Sequence, residues 1–147
     1  MIPRRVVVEV SSTVRQMPIS ANRARELALL TMKSEKIRDA MISVAFVGRT
    51  AISRYNKQYL GHEGATDVIS FGMGRDRTGA PVIGDIYICP EIAHVNARRF
   101  GTPFKQEIER LVVHGSLHVA GYEHPEDDSR VKSPMWRKQE RILARSR

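Results

Sequence analysis

Cysteine is nearly missing from this chain: Cys89 is the only one among 147 residues. A single thiol closes no internal disulfide and excludes a zinc site built from cysteines, and it fits a reducing compartment. Long apolar runs are missing too. No stretch approaches the ~20 continuous apolar residues that a membrane span needs, so no membrane partner is expected. Acidic residues run out toward the C-terminus: beyond Asp128 the only one is Glu140, against Arg130, Lys132, Arg137, Lys138, Arg141, Arg145 and Arg147. There is no internal repeat, low-complexity tract or linker, so residues 1–147 read as one domain. Met1 to Arg5 run directly into an alternating strand pattern, which predicts no secretory or transit segment and a cytoplasmic location.

What the chain does have is positive charge, a net +8 supplied mainly by arginine. Arginine grips phosphate with two parallel donors, so the balance points to a polyanionic partner such as nucleic acid. The clusters are Arg98 with Arg99, and the C-terminal tail.

Val6, Val8 and Val10 alternate as a first strand. Ser20 reads as the N-cap of a helix carrying Ala24, Leu27 and either Leu30 or Thr31. Ile42, Val44 and Phe46 give a second strand. Thr50 reads as the cap of a short helix bearing Ile52, Tyr55 and Tyr59, which Gly61 ends in the left-handed conformation. Asp67–Phe71 is the third strand. Residues 72–81 form a hairpin or flexible loop, and Val82–Cys89 is the fourth strand. Pro90 opens a helix that Gly101 closes. Thr102 and Pro103 then cap and open another, running to about Ala120 and stopped by Gly121. The last helix spans about Asp127–Leu143, kinked or delayed by Pro134. Adjacent strands mixed with strand–helix alternation predict an α+β domain: a small mixed four-stranded sheet flanked by about five helices.

Three of the five histidines fall within the run H-G-S-L-H-V-A-G-Y-E-H, at His114, His118 and His124. Histidines four apart on a helix differ by about 40° around the axis and about 6 Å along it, so both rings leave one face. Gly121 breaks the helix and lets His124 turn back toward the same point. Three neutral imidazoles with one position left open are the donor set of a catalytic zinc rather than a structural one. The competing reading is that each ring is packed or hydrogen-bonded for structural reasons. The residue after the first histidine is Gly115, where H-E-x-x-H proteases carry the glutamate that acts as general base. A hydrolase here needs its base elsewhere, or water must be activated by the metal largely unaided. Glu123 is the nearby candidate proton carrier, with a solvated turn carboxylate as the alternative.

Two further segments stand out. In A-T-D-V-I-S-F at 65–71, Thr66 or Asp67 can fix the strand entry through side-chain to backbone bonds. Asp85 lies inside an apolar strand, where an unpaired charge is costly. It therefore faces solvent or has a partner, and a backbone group or an arginine is the expected one.

Taken together, H-G-S-L-H-V-A-G-Y-E-H at 114–124, T-D-V-I-S-F at 66–71 and G-D-I at 84–86 resemble the YbeY family of bacterial endoribonucleases, or rRNA maturation factors. Met135 and Glu140 before Ile142 and Leu143 look similar too. The likeness covers most of the chain from about Val44 onward. It implies an α/β fold with a mixed sheet. It implies that His114, His118 and His124 match the ligands of one Zn2+ ion, and that single-stranded RNA is the substrate. It further implies maturation of the 3′ end of 16S rRNA, ribosome quality control, and the small ribosomal subunit with its assembly factors as partners. The family commonly carries an arginine, linked to RNA processing, in the loop before T-D-V-x-S-F. Leu60 occupies that place, which hands RNA contact to another cation, with Arg54, Arg98 and Arg99 the candidates. The acid of the histidine motif is Glu123 where the family usually has Asp. The alternatives are an RNA-binding assembly factor that does not cut, and a zinc hydrolase of another substrate such as a peptide.

Overall fold

The structure, a computed structural model, describes residues 5–73, 80–122 and 133–147. The alternating valines form β1 (Val6–Ser12), and β2 (Ala40–Phe46), β3 (Val68–Met73) and β4 (Val82–Ile88) complete a sheet of order β1-β2-β4-β3. β1, β2 and β4 are parallel, with Val8 opposite Ile42 and Ile42 opposite Gly84. β3 runs antiparallel at the edge, pairing Ser70 with Ile86. This is the expected mixed sheet, and five α-helices accompany it among the described residues.

Side chains alternate across the pleat. Ile42, Val44, Val82, Ile86 and Ile88 face the main core and are fully buried. Helices α1 (Ala21–Ser34) and α4 (Phe104–Val119) close this face. The opposite face is covered where α2 (Arg49–Tyr55) lays Ile52 and Tyr55 against Ile69, Phe71 and Tyr87. Toward β1 it stays open, with Met41 and Ile83 exposed. Asp85 lies on that exposed face, and its partner is neither a backbone group nor an arginine: Ser43 on the neighbouring strand donates a 2.5 Å hydrogen bond to it.

The Ser20 hydroxyl caps α1 by accepting from the Arg23 N–H, and Thr31 rather than Leu30 takes the buried position. Two caps differ from expectation. Thr50 is not the N-cap of α2. The chain leaves the sheet when the Val47 N–H bonds to the Ile88 carbonyl, so the helix starts at once, with Gly48 as cap and its carbonyl accepting from Ile52. Thr102 does not cap α4 either. Pro103 holds that position, one residue later, and the Thr102 hydroxyl turns to Glu107. After Tyr55 the helix widens into a π turn, Asn56–Leu60, where the Asn56 side chain is buried and donates to the Gly64 carbonyl. Gly61 then ends it at φ +70°. β3 runs two residues further than Phe71, through Gly72 and Met73, and the rest of the expected 72–81 loop lies mostly outside the described residues.

α3 (Pro90–Phe100) ends at Gly101 in the left-handed conformation, as expected. The last helix, α5, is Pro134–Arg145. Ser133, extended at its N-cap, accepts from the Trp136 N–H, so Pro134 occupies the first turn, where it loses no hydrogen bond. The delayed start is thus the one observed; residues 127–132 lie outside the described region.

α4 is the central helix, in contact with β3, β4, α1, α3 and α5. Ile108, Leu111, Val112, Val113, Leu117 and Val119 on it are buried. Three glycines allow it to sit this close. A Cβ on Gly84 would lie 2.6 Å from Val119 Cγ2 and 2.9 Å from the Phe71 carbonyl oxygen. On Gly72 it would meet the Val119 carbonyl oxygen at 3.2 Å, and on Gly115 it would meet Ile86 Cγ2 at 2.7 Å.

Candidate functional site

The tight seat of α4 sets the orientation of its two histidines. Gly115 faces Ile86 in the sheet, so His114 and His118, one turn apart, emerge together on another side and are each half-buried. Their ring centroids are 4.7 Å apart with planes 79° to each other. That is the convergence the four-residue spacing predicts.

Each ring is held through Nδ1. His118 Nδ1 lies 2.9 Å from the carbonyl oxygen of Tyr122. The chain reaches that oxygen because Gly121, at φ +111°, turns it back over the helix end. A carbonyl only accepts, so Nδ1 carries the proton. His114 Nδ1 lies 2.8 Å from Gln139 Oε1 on α5. The Gln139 amide nitrogen donates at 3.0 Å to the Glu140 carboxylate, which fixes the amide's orientation and makes its oxygen the atom that faces His114. In the neutral form of each ring this contact places the lone pair on Nε2, the nitrogen that could bind a metal. A nitrogen donor set of this kind suits zinc and related borderline-soft divalent ions. Among the described residues no group of three metal-binding side chains gathers. The expected third ligand, His124, and the candidate proton carrier, Glu123, lie outside the described region.

The network continues beyond Gln139. Glu140 receives two hydrogen bonds from Arg110, Nε to Oε2 and Nη2 to Oε1, both 2.9 Å. Burial pushes the Glu140 carboxyl up, but the hydrogen bonds from Arg110 and Gln139 outweigh it and hold the group below the usual carboxylate range. Arg110 precedes His114 by one turn on the same helix. The line Arg110–Glu140–Gln139–His114 thus ties α4 to α5 with charge at one end and a metal-capable nitrogen at the other.

Neither Arg110 nor Gln139 stood out in the sequence. Gln139 had a faint signal, being a polar residue within the α5 stripe of Met135, Ile142 and Leu143, and it is 1% exposed. Arg110 was one more cation in a basic chain. Among the cations that were expected to touch RNA, Arg98 and Arg99 are exposed at the C-terminal end of α3, next to Phe100, which lines a cavity beside His114. Arg54 is also exposed, but it sits on α2, across the sheet from α4. The structure does not bring it to the histidine pair. Leu60, 45% exposed, ends the π turn. The Asp67 carboxylate accepts from the Asn96 side chain at 3.3 Å and from Thr66 at 3.4 Å, which ties the strand entry to α3, while the Asp67 carbonyl accepts from the Cys89 N–H at 2.9 Å.

The Gln139 contact yields a direct expectation. Gln139→Leu keeps the volume and removes the acceptor for His114 Nδ1–H. Outer partners of metal-binding histidines are worth about 10–100-fold in metal affinity. Zinc affinity, measured by competition with a chromogenic chelator, is expected to fall within that range while the far-ultraviolet circular dichroism is unchanged. Undiminished affinity would show that Gln139 merely fills space.

With this geometry in view, the comparisons with known proteins converge. The family model for endoribonuclease YbeY matches residues 9–147. A Thermotoga maritima endoribonuclease YbeY is 36% identical over 109 residues, 74% of this chain and 69% of that protein. One from Chlorobium luteolum is 41% identical over 92 residues, 61% and 65% of the two chains. The solution structure of TM1509 from Thermotoga maritima superposes with a TM-score of 0.63 at 28% identity, covering 95% of this chain and 89% of that one. The sheet, the histidine-bearing central helix and these likenesses agree: this chain belongs to the endoribonuclease YbeY family.

Proposed function

We propose that this protein is a zinc-dependent endoribonuclease that cuts single-stranded RNA and acts in the cytoplasm on the 3′ end of 16S rRNA, in its maturation and in ribosome quality control. The observation that carries the reading is the His114–His118 pair, whose rings converge 4.7 Å apart on one side of α4, each fixed through Nδ1 by an acceptor. His124, after the Gly121 turn, completes the proposed ligand set, with Glu123 as proton carrier. The family supports RNA as substrate, and the net charge of +8 suits a polyanion. The rRNA, small-subunit and assembly-factor assignments rest on the family resemblance.

In the proposed mechanism His114 and His118 hold the ion from one rigid helix face, and Gln139 and the Tyr122 carbonyl fix their tautomers. The exposed Arg98 and Arg99 hold the RNA strand by its phosphates. When bound, the ion supplies Lewis-acid stabilisation of the charge that develops on the phosphodiester. Gly115 faces the sheet, so no residue at that position can serve as proton carrier, and Glu123 is the acid nearest in sequence.

The test is removal and return of zinc. Chelator-treated protein is expected to lose cleavage of a single-stranded fragment spanning the 16S rRNA 3′ end, and one equivalent of zinc to restore it, with the matching duplex left intact. Cleavage that survives chelation overturns the metal assignment, and equal cutting of the duplex overturns the single-strand assignment. Zinc-loaded protein that shifts the RNA on a gel without cutting it replaces the nuclease with a non-cutting assembly factor.

A further inference from the structure

The C-terminal cluster of positive charge lies largely on α5, and the surface of that helix is sharply divided. Met135, Gln139, Ile142 and Leu143 are buried against the core. Glu140, the one acid on the helix, turns to Arg110 on α4. Lys138, its one lysine, pairs with Glu35 at the end of α1 at 3.0 Å. The cations left to solvent are arginines: Arg137, Arg141 and Arg145 are all exposed. Positions four apart on a helix differ by about 40° around the axis and about 6 Å along it, so the three follow one edge, on the side away from Gln139.

Like charges at this spacing repel one another and weaken a helix slightly. The surroundings do not compensate them. Among the described residues no hydrogen bond or ion pair engages Arg141 or Arg145. Arg137 already has a contact of its own, so the unengaged pair is Arg141 and Arg145. The acids of the adjacent α1 face other cations, Glu26 facing Arg23 at 3.5 Å and Glu35 facing Lys138.

Guanidinium is the cation whose fork of donors fits phosphate, so the natural complement of this edge is a row of phosphates. A lipid surface is the poorer fit. Helices that lie on membranes keep an apolar face for insertion. The apolar face of α5 is buried in the core, and Pro134 and Ala144 are its only exposed apolar residues.

We propose that this edge of α5 is a second RNA-binding surface, in which Arg141 and Arg145 grip phosphates of the substrate. The proposal rests on RNA being the partner, as read above. The edge lies across α5 from Gln139, which holds His114, so the RNA gripped here flanks the segment at the histidine pair. Its contribution is affinity and salt dependence without choice of sequence, because phosphates carry no sequence information.

The test measures binding of the full-length protein to a labelled single strand of 2′-O-methyl RNA, which keeps the phosphates and resists cleavage. Fluorescence anisotropy follows binding across a range of salt. Each phosphate contact on a single strand steepens the fall of log K with log salt by about 0.7. Arg141→Ala/Arg145→Ala is expected to flatten the slope by about 1.4 and to weaken binding at least about tenfold at about 0.1 M salt. Its melting temperature is expected to hold or rise slightly, since alanine favours helix and the repulsion is gone. Arg15→Ala/Arg49→Ala removes the same charge from two exposed positions elsewhere, after β1 and at the start of α2, and is expected to leave the slope unchanged. An equal loss in both double variants traces the effect to net charge and overturns the surface. An unchanged slope in the first variant overturns it too, as does a lower melting temperature with RNA binding intact, which makes the arginines structural. Phosphatidylglycerol vesicles that bind the parent but not the first variant, with RNA binding intact, replace RNA by a lipid surface. The expected loss of RNA affinity in a protein that cuts no RNA supports the surface and overturns the nuclease reading. RNA cleavage with an unaltered slope does the reverse.

Discussion

Replacing His118 by alanine is expected to remove both bound zinc and RNA cleavage while leaving the fold in place. The ring is half-buried at the end of α4, and its Nδ1 lies 2.9 Å from the Tyr122 carbonyl oxygen. Losing that hydrogen bond costs stability of about 1 kcal/mol. The effect on the proposed site is far larger, because a three-nitrogen set reduced to two would hold zinc only weakly. Bound zinc, measured by elemental analysis after gel filtration, is expected to fall from about one per chain to a small fraction. Cleavage of the single-stranded substrate is expected to fall at least about a thousandfold, the scale of losing the main electrostatic contribution to the transition state. A His118→Ala protein that cuts RNA as fast as the parent would trace the activity to a contaminating nuclease.

The second large effect concerns Gly115. Gly115→Glu creates the H-E-x-x-H pattern of a metalloprotease, and by the pattern alone it would add a general base. The fold predicts the opposite. A Cβ at this position lies 2.7 Å from Ile86 Cγ2, against a strand at the centre of the core. The side chain would enter the α4–sheet seam, on the side away from both imidazoles. Gly115→Ala alone is expected to cost about 1–3 kcal/mol through overpacking. Glutamate adds a buried carboxylate with no partner, which costs several kcal/mol more. Domains hold only about 5–15 kcal/mol in total. Gly115→Glu is therefore expected either to accumulate as insoluble protein or to melt at least about 10 °C below the parent, with no peptide-cleaving activity. A stable variant with protease activity would show that position 115 faces the metal.

The histidine pair was legible in the sequence because helical spacing alone determines which residues share a face, and α4 had clear boundaries at Pro103 and Gly121. Strand alternation and the glycine and proline stops gave the four strands and the five helices for the same reason: those signals act over a few residues. The partners that tune the site act across the fold. Gln139 meets His114 only because α5 packs along α4, and Arg110 gains its meaning only from Glu140 on that same helix. In the sequence Gly115 stands where a metalloprotease carries its base. Its actual role, close contact with Ile86, depends on a strand some thirty positions earlier. Arg54 lies within a few residues of Leu60 and so was a natural substitute for the family's arginine, but α2 crosses to the far face of the sheet, a matter of topology rather than local pattern. The cap of α2 moved to Gly48 because a cross-strand hydrogen bond, from the Val47 N–H to the Ile88 carbonyl, decides where the strand ends and the helix begins.

The seating of α4 on glycines has one more consequence. A helix enclosed by strands and helices on several sides opens only when the whole domain opens, whereas residues at its margins breathe freely. The spacing and aim of the two imidazoles are then a property of the protein scaffold, set when the chain folds. An ion at the proposed site would meet two donors already in place and would spend less of its binding free energy on ordering them.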